Sequence, residues 1–134
     1  MKLNELQQEW KADATIDKRD LGGESIRIPN LHAKYLSYLS SARLSARKAE
    51  SEYIQQVKLK ERYFNGELSR EELQELNWTP YQFNRPLKSQ MENLAQAEPD
   101  IVRLVDRIEY WKTIIEFLEY VMKSLHSRSY DVKN

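Results

Sequence analysis

NLHAKYLSYLSSARLSARKAESEYIQQVKLKERYF, residues 30–64, runs with neither glycine nor proline until Gly66, and that unbroken length decides the fold class. Asn30 is a good cap residue and Gly66 stands where a left-handed C-terminal cap belongs, so the stretch reads as one helix. At ~1.5 Å per residue it spans ~52 Å, whereas a compact chain of this size has a diameter of ~36 Å. Such a helix must project or meet a partner. Its seam is thin. Tyr35, Leu36, Leu39, Ala42, Ala46, Ala49, Tyr53 and Val57 recur in the three- and four-residue steps of helix pairing, and the alanines bring backbones close while burying little.

On its N-terminal side, Leu3, Leu6 and Trp10 form one apolar stripe on a short helix over residues 3–14. Gly22, Gly23 and Pro29 then mark residues 13–29 as a loop. On its C-terminal side, Ser69-Arg70-Glu71-Glu72 is a capping box that opens a short helix to Leu76. Trp78-Thr79-Pro80 ends it, Pro86 opens a further segment to about Ala97, and Pro99 suits the first turn of the last helix, 99–126. That helix carries an apolar arc of about 200° against the ~100° stripe of a helix with one face in water. The surplus predicts a second covered surface, and the residues assigned to contact between copies are Ile101, Leu104, Ile108, Trp111, Ile114, Ile115, Phe117, Leu118, Val121, Met122 and Leu125. The polar tail 127–134 is expected to be mobile. The chain is therefore read as one all-α domain of 134 residues: an arm and loop (1–29), a long helix (30–64), short connecting helices (65–98) and an apolar helix with its tail (99–134).

Lys and Arg number 21, as do Asp and Glu, so the whole-molecule field of many nucleic-acid binders is missing. The charge is segregated instead. Residues 27–62 hold eight basic side chains against three acids, and residues 65–119 hold six against eleven. Arg43, Arg47, Lys58 and Arg62 fall within an arc of about 100° on the long helix. This basic track, with Tyr53, Tyr63 and Phe64 near it as stacking surfaces, fits single-stranded nucleic acid. From the residues alone the simpler account is different: the basic rod pairs with the acidic half in an antiparallel hairpin, and Tyr35, Tyr38 and Tyr53 belong to the core.

Several chemistries find no support. The chain has no cysteine and lacks both GxxxxGK[ST] and GxGxxG, so thiolate metal sites, disulfides and nucleotide hydrolysis are not expected. His32 and His126 stand apart without metal-ligand spacing. Glu71, Glu72 and Glu75 lie at a helix start, where the dipole favours negative charge. A non-enzyme without cofactor or metal is expected. The start MKLNELQQEW has no apolar signal run, and no stretch approaches the ~20 apolar residues of a membrane span, so a cytoplasmic protein is expected.

The stretch LNELQQEWKADATIDKRDL (Leu3 to Leu21), Val57-Lys58-Leu59-Lys60 running into Tyr63-Phe64-Asn65-Gly66, and Tyr110-Trp111 with Ser127-Arg128 resemble the UvsY family of phage recombination mediators, in order and over nearly the whole chain. The resemblance implies a small helical protein that binds single-stranded DNA and assists loading of a recombinase onto DNA coated by single-strand binding protein. It also implies a homo-oligomeric ring of six or seven subunits, in the host cytoplasm. The family's Leu-Lys-Ala-Arg segment falls on Val57 to Lys60, which gives Lys58 and Lys60 a DNA-binding role. Lys replaces Arg at position 60, losing the planar fork, and Lys58 and Lys60 point about 160° apart on a straight helix. The chain also ends at Asn134, sooner after Arg128 than the family pattern.

The combined expectation is an antiparallel pair of long helices with short flanking helices, assembling through the last helix. DNA phosphates are assigned to Lys58, Lys60 and Arg62, and more weakly to Arg43, Arg47 and Lys48. The alternative is a protein-only helical adaptor or chaperone whose basic helix is paired internally.

Overall fold

A computed structural model describes the backbone of residues 1–133 and the side chains of residues 1–130. Its elements are α1 (Leu3–Asp13), α2 (Leu21–Phe64), α3 (Arg70–Leu76), α4 (Lys88–Gln96) and α5 (Pro99–Lys133), with no strand among the described residues. They form two compact units, one of residues 1–46 with the chain from Tyr110 onward, the other Arg47–Glu109. In each unit the local stretches of α2 and α5 run antiparallel. Arg43 pairs with Glu119 in the first; Glu52 pairs with Arg107, and Lys60 with Asp100, in the second.

The long helix begins at Leu21, well ahead of Asn30, and carries both Gly22-Gly23 and Pro29 inside it. Asp20 is the reason. Its carboxylate accepts from the Gly23 amide at 2.8 Å, satisfying one of the free donors of the first turn, and its carbonyl accepts the helix's first backbone bond from the Glu24 amide at 3.0 Å. A Cβ at Gly23 would come within 2.3 Å of the Asp20 carboxylate, while one at Gly22 would meet nothing nearer than 3.9 Å. Glycine at position 23 is what lets the cap close. Pro29 and Ser25 both lie on the exposed side, so the Ser25 carbonyl that loses its donor remains open to water. These residues give a test of the start: Gly22→Ala should raise stability by about 0.5–1 kcal/mol through lost freedom of the unfolded chain. Gly23→Ala should give no such gain, because it displaces the Asp20 cap. Thermal unfolding of the two variants reads the difference directly.

The other boundaries follow local chemistry. α2 ends where Gly66 turns to φ +73°, the Glu67 amide donating to the Arg62 carbonyl at 2.9 Å. Ser69 and Glu72 form the reciprocal capping box at 3.1 and 3.2 Å, and Asn77 ends α3 in the left-handed region. Pro99 occupies the first position of α5, where a missing N–H is harmless. The helix continues through 127–133 where a mobile tail was expected. Leu125 is 1% exposed, and Arg128 donates to the Ala14 carbonyl and lies 5.2 Å over the Trp10 ring, so the first turn of that stretch is tied to α1. Asn134, the end of the expected tail, lies outside the described residues.

In the first unit three helices share one core: Leu6 and Trp10 from α1, Leu31, Tyr35 and Leu39 from α2, and Ile114, Leu118, Val121 and Leu125 from α5. Tyr35 is fully buried, edge-on to Trp10 and to Tyr38, each at 5.5 Å. A polar network seals the α1 end. Tyr35 Oη donates to Asp13 Oδ2 at 2.8 Å, Lys34 Nζ reaches Asp13 at 2.6 Å and Glu9 at 2.8 Å, and Tyr38 Oη donates to Glu9 at 2.9 Å. Arg27 Nη2 donates to the Asp13 carbonyl at 2.7 Å. The arm read from Leu3, Leu6 and Trp10 is thus an integral third helix of this unit.

In the second unit Ile101, Leu104 and Ile108 of α5 are buried, as are Met91 and Ala95 of α4 and Ala49 and Phe64 of α2. Of the residues expected to join copies, Ile101, Leu104, Ile108, Ile114, Leu118, Val121 and Leu125 are therefore consumed by the chain's own core. The surplus arc has its cover mainly from α2 and α1. Trp111, Ile115, Phe117 and Met122 remain only partly buried against it.

Candidate nucleic-acid interface

The basic residues of α2 expected to meet DNA separate into three groups by what surrounds them. Arg47, Lys48 and Lys58 are exposed, and among the described residues none of the three has an ion pair. Arg47 and Lys58 are eleven positions apart, hence about 20° apart on the helix and ~16 Å along it, so they share one face. Both belong to the second unit.

Arg62 is exposed but engaged, its Nη2 lying 3.1 Å from Glu72 Oε2. The Ser69 amide and the Arg62 guanidinium hold the Glu72 carboxyl below its usual range. Arg43, in the first unit, makes a similarly open pair with Glu119 at 3.3 Å. Both side chains of each pair are well hydrated, so such contacts contribute little in water and a phosphate can take the carboxylate's place.

Lys60 is a correction to the expected phosphate contacts. It is 8% exposed. Its ammonium lies 3.4 Å from Asp100 Oδ2, 3.7 Å from Glu98 Oε2 and 4.3 Å over the Trp78 ring. The physical reason is the 160° offset from Lys58: with Lys58 turned to solvent, Lys60 necessarily faces the start of α5 and the chain that follows α3. Its visible role is to join α2 to Glu98, Asp100 and Trp78.

The aromatic residues regroup too. Tyr53 bonds to Gln96 through its hydroxyl and does not stand free as a platform. Tyr63 and Phe64 enter a cluster with residues from the connection after α3: Tyr63 lies 5.2 Å from Trp78 and 5.7 Å from Tyr81, and Phe64 lies 5.3 Å from Tyr81. Tyr63 Oη donates to the Thr79 carbonyl at 2.6 Å, pinning that connection to the end of α2. Phe83 continues the cluster outward, 5.5 Å from Tyr81 and 78% exposed. Neither Phe83 nor the neighbouring Arg85 and Lys88 was singled out by sequence reasoning. The available signal was an acid-free run from Leu76 to Met91 in an otherwise acidic half. Beside it opens a cleft of about 730 Å³ lined by Arg85, Lys88, Asn65, Met91, Glu61 and Glu92.

Among the described residues no group of three or more His, Asp or Glu could hold a metal ion, and no helix is long and apolar enough to cross a membrane. The two histidines, set apart in the sequence, both line a groove of the first unit with Ile28, Pro29, Leu125 and Ser129.

Residues 9–134 match the family model described as "Recombination, repair and ssDNA binding protein UvsY". The chain belongs to the UvsY family. "Recombination protein uvsY" of Enterobacteria phage T4 is 25% identical over 134 residues, which is all of this chain and 92% of that protein. A crystal structure of the bacteriophage T4 recombination mediator protein UvsY (lattice type II) superposes with a TM-score of 0.82 at 25% identity, covering 99% of this chain and 91% of that one. Further crystal forms of the same protein match with TM-scores of 0.82 and 0.80 at 23% and 24% identity, and these carry the fold alone. The all-α reading and the family resemblance drawn from the sequence both hold. In this UvsY-family chain Arg47, Lys48 and Lys58 of α2 face solvent, whereas Lys60 is buried.

Proposed function

We propose that this protein is a non-catalytic recombination mediator of phage DNA recombination and repair: it binds single-stranded DNA and assists loading of a recombinase onto DNA covered by single-strand binding protein. Family membership supports the class of activity. The single observation that carries the DNA-binding part is Arg47 and Lys58, exposed on one face of α2 and without an ion pair among the described residues, with Lys48 nearby and Arg62 held only by a surface pair. Each is a flexible cation facing water, the arrangement that releases condensed counterions when a strand is bound.

One protomer offers few such contacts. Affinity then comes from several protomers engaging one strand at high effective concentration, in a homo-oligomeric ring of six or seven copies. Of the α5 residues expected to join copies, the half-buried Trp111, Ile115, Phe117 and Met122 are the ones still within reach of a second copy. Mechanistically, a multivalent ring holds the strand, loosens the competing coat protein and presents the DNA to the recombinase, in the cytoplasm of the host cell.

The protein-only adaptor reading draws support from a specific observation: Lys60, Arg62 and Arg43 all have carboxylate partners within the chain. The two readings separate in a loading assay. With single-strand DNA pre-coated by its binding protein, the mediator should shorten the lag before recombinase filament growth, and Arg47→Ala with Lys58→Ala should restore most of that lag. An adaptor that touches proteins only would shorten the lag equally well with or without those cations, which would overturn the DNA-binding reading.

A further inference from the structure

Phe83 is an apolar ring that folding leaves outside. Its 78% exposure contrasts with the rest of its cluster, where Phe64 is 6% exposed and Tyr63 and Tyr81 are half-buried. The ring is nevertheless supported. Tyr81 lies against it at 5.5 Å with the planes inclined by 60°, and Tyr81 is itself fixed by Phe64 at 5.3 Å and Tyr63 at 5.7 Å. Pro80 and Pro86 restrict the backbone on either side. A ring presented in this way loses little freedom when something flat is laid on it.

The surroundings say what that something is. From Leu76 to Met91 the chain carries Arg85 and Lys88 and not one carboxylate. Both cations line the adjoining cleft, where Glu61 of α2 and Glu92 of α4 also stand. Within that lining Arg85 and Lys88 attract a polyanion and Glu61 and Glu92 oppose one, so phosphates are favoured on the side of the two cations. A single exposed ring flanked by cations suits a stacked base with its phosphates better than a protein surface, whose hot spots are broad and dry.

We propose that Phe83 is a stacking platform for an unpaired nucleobase, with Arg85 and Lys88 taking the phosphates beside it. This rests on the single-strand binding proposed above and adds to it a subsite outside the basic face of α2. Every base has a π face, so the subsite is indifferent to sequence.

The test uses the full chain with oligo-dT and with an abasic oligonucleotide of the same length. Phe83→Ala should weaken oligo-dT binding by about fivefold to a hundredfold with an unchanged salt dependence. Phe83→Trp should retain wild-type affinity, and on the abasic strand wild type and Phe83→Ala should bind alike. Arg85→Gln with Lys88→Gln should instead flatten the log–log salt slope by about 1.4, at ~0.7 per contact. Equal oligo-dT affinity for Phe83→Ala and wild type overturns the platform. So does a difference that persists on the abasic strand, an unchanged slope for the double variant, or a Phe83→Ala effect seen in sedimentation rather than in DNA binding, which would make the ring a protein contact. If wild-type protein fails to bind oligo-dT at all, the single-strand reading itself falls and the platform with it.

Discussion

Replacing Tyr35 with alanine should destabilise the first unit by about 3–5 kcal/mol, the range for truncating a large buried aromatic. Against a total stability of about 5–15 kcal/mol for a small domain, that is enough to unfold a marginal one. The side chain is fully buried, so the cavity cannot be filled by water on favourable terms. Two further losses add to it. Trp10 loses the ring at 5.5 Å on which it rests edge-on, and Asp13 loses the hydroxyl that donates to it at 2.8 Å. Tyr35→Phe separates these contributions: it keeps the packing and removes one hydrogen bond, for about 1 kcal/mol.

The same network sets the pH window of stability. Burial raises the Asp13 carboxyl, but the hydrogen bonds from Lys34 and Tyr35 outweigh it and hold the group below its ordinary 3.8. A depressed folded-state value means stabilisation present above that ordinary value and lost as pH falls through the lower one. On the alkaline side, burial and the bond to Asp13 push the Tyr35 hydroxyl well above its ordinary 10.0. Lys34 is opposed by burial but is held above 10.5 by its bonds to Asp13 and Glu9. Raised values mean stabilisation complete below the ordinary pKa and lost as pH climbs through the folded one. Denaturant unfolding across pH should therefore show a plateau falling at both ends. Asp13→Asn should flatten the acid limb.

Arg47→Ala combined with Lys58→Ala should produce a large loss of DNA affinity. A single-strand phosphate contact gives a log–log salt slope of about 0.7, so removing two should flatten the slope by about 1.4. In ~50 mM salt, relative to ~1 M, each such contact contributes close to tenfold, and the pair therefore about a hundredfold. Neither side chain holds the fold together, being exposed and without an ion pair among the described residues, so melting temperature should not move. Lys60→Met is the informative control. It retains the apolar stem and removes an ammonium already turned toward Glu98, Asp100 and the Trp78 ring, the two carboxylates staying about a third exposed and hydrated. Its slope should equal that of wild type. Titration of oligo-dT across salt for the three proteins decides between the two assignments.

Most of the architecture was legible because it rests on local rules. The glycine after Phe64, the Ser69 to Glu72 box and Pro99 at a helix start each act within one turn, and each operates where the sequence puts it. The start of α2 was misread for an equally physical reason. Gly22-Gly23 and Pro29 are breakers on average, but Asp20 needs the bare Cα of Gly23 to close its cap, and Pro29 falls on the exposed side. The end of α5 was misread because Arg128, beyond the expected helix end, makes a tertiary contact with Ala14 and Trp10 that no local pattern announces. The family resemblance was visible and correct in kind. It was silent on burial: Lys58 and Lys60 differ by two letters in the sequence and by opposite faces of the helix in space. Phe83 escaped notice because an exposed aromatic in a proline-rich connection has no periodicity to read.

The account's central claim is that exposed cations of α2 bind a phosphate backbone. The most direct measurement is the affinity of the wild-type chain for an unstructured oligo-dT followed over a range of salt. The prediction is tight binding in dilute salt and a straight decline of log affinity against log salt, with a slope worth several phosphate contacts. Undetectable binding at ~50 mM salt, or an affinity indifferent to salt, would contradict it and leave a helical protein whose charges serve only itself.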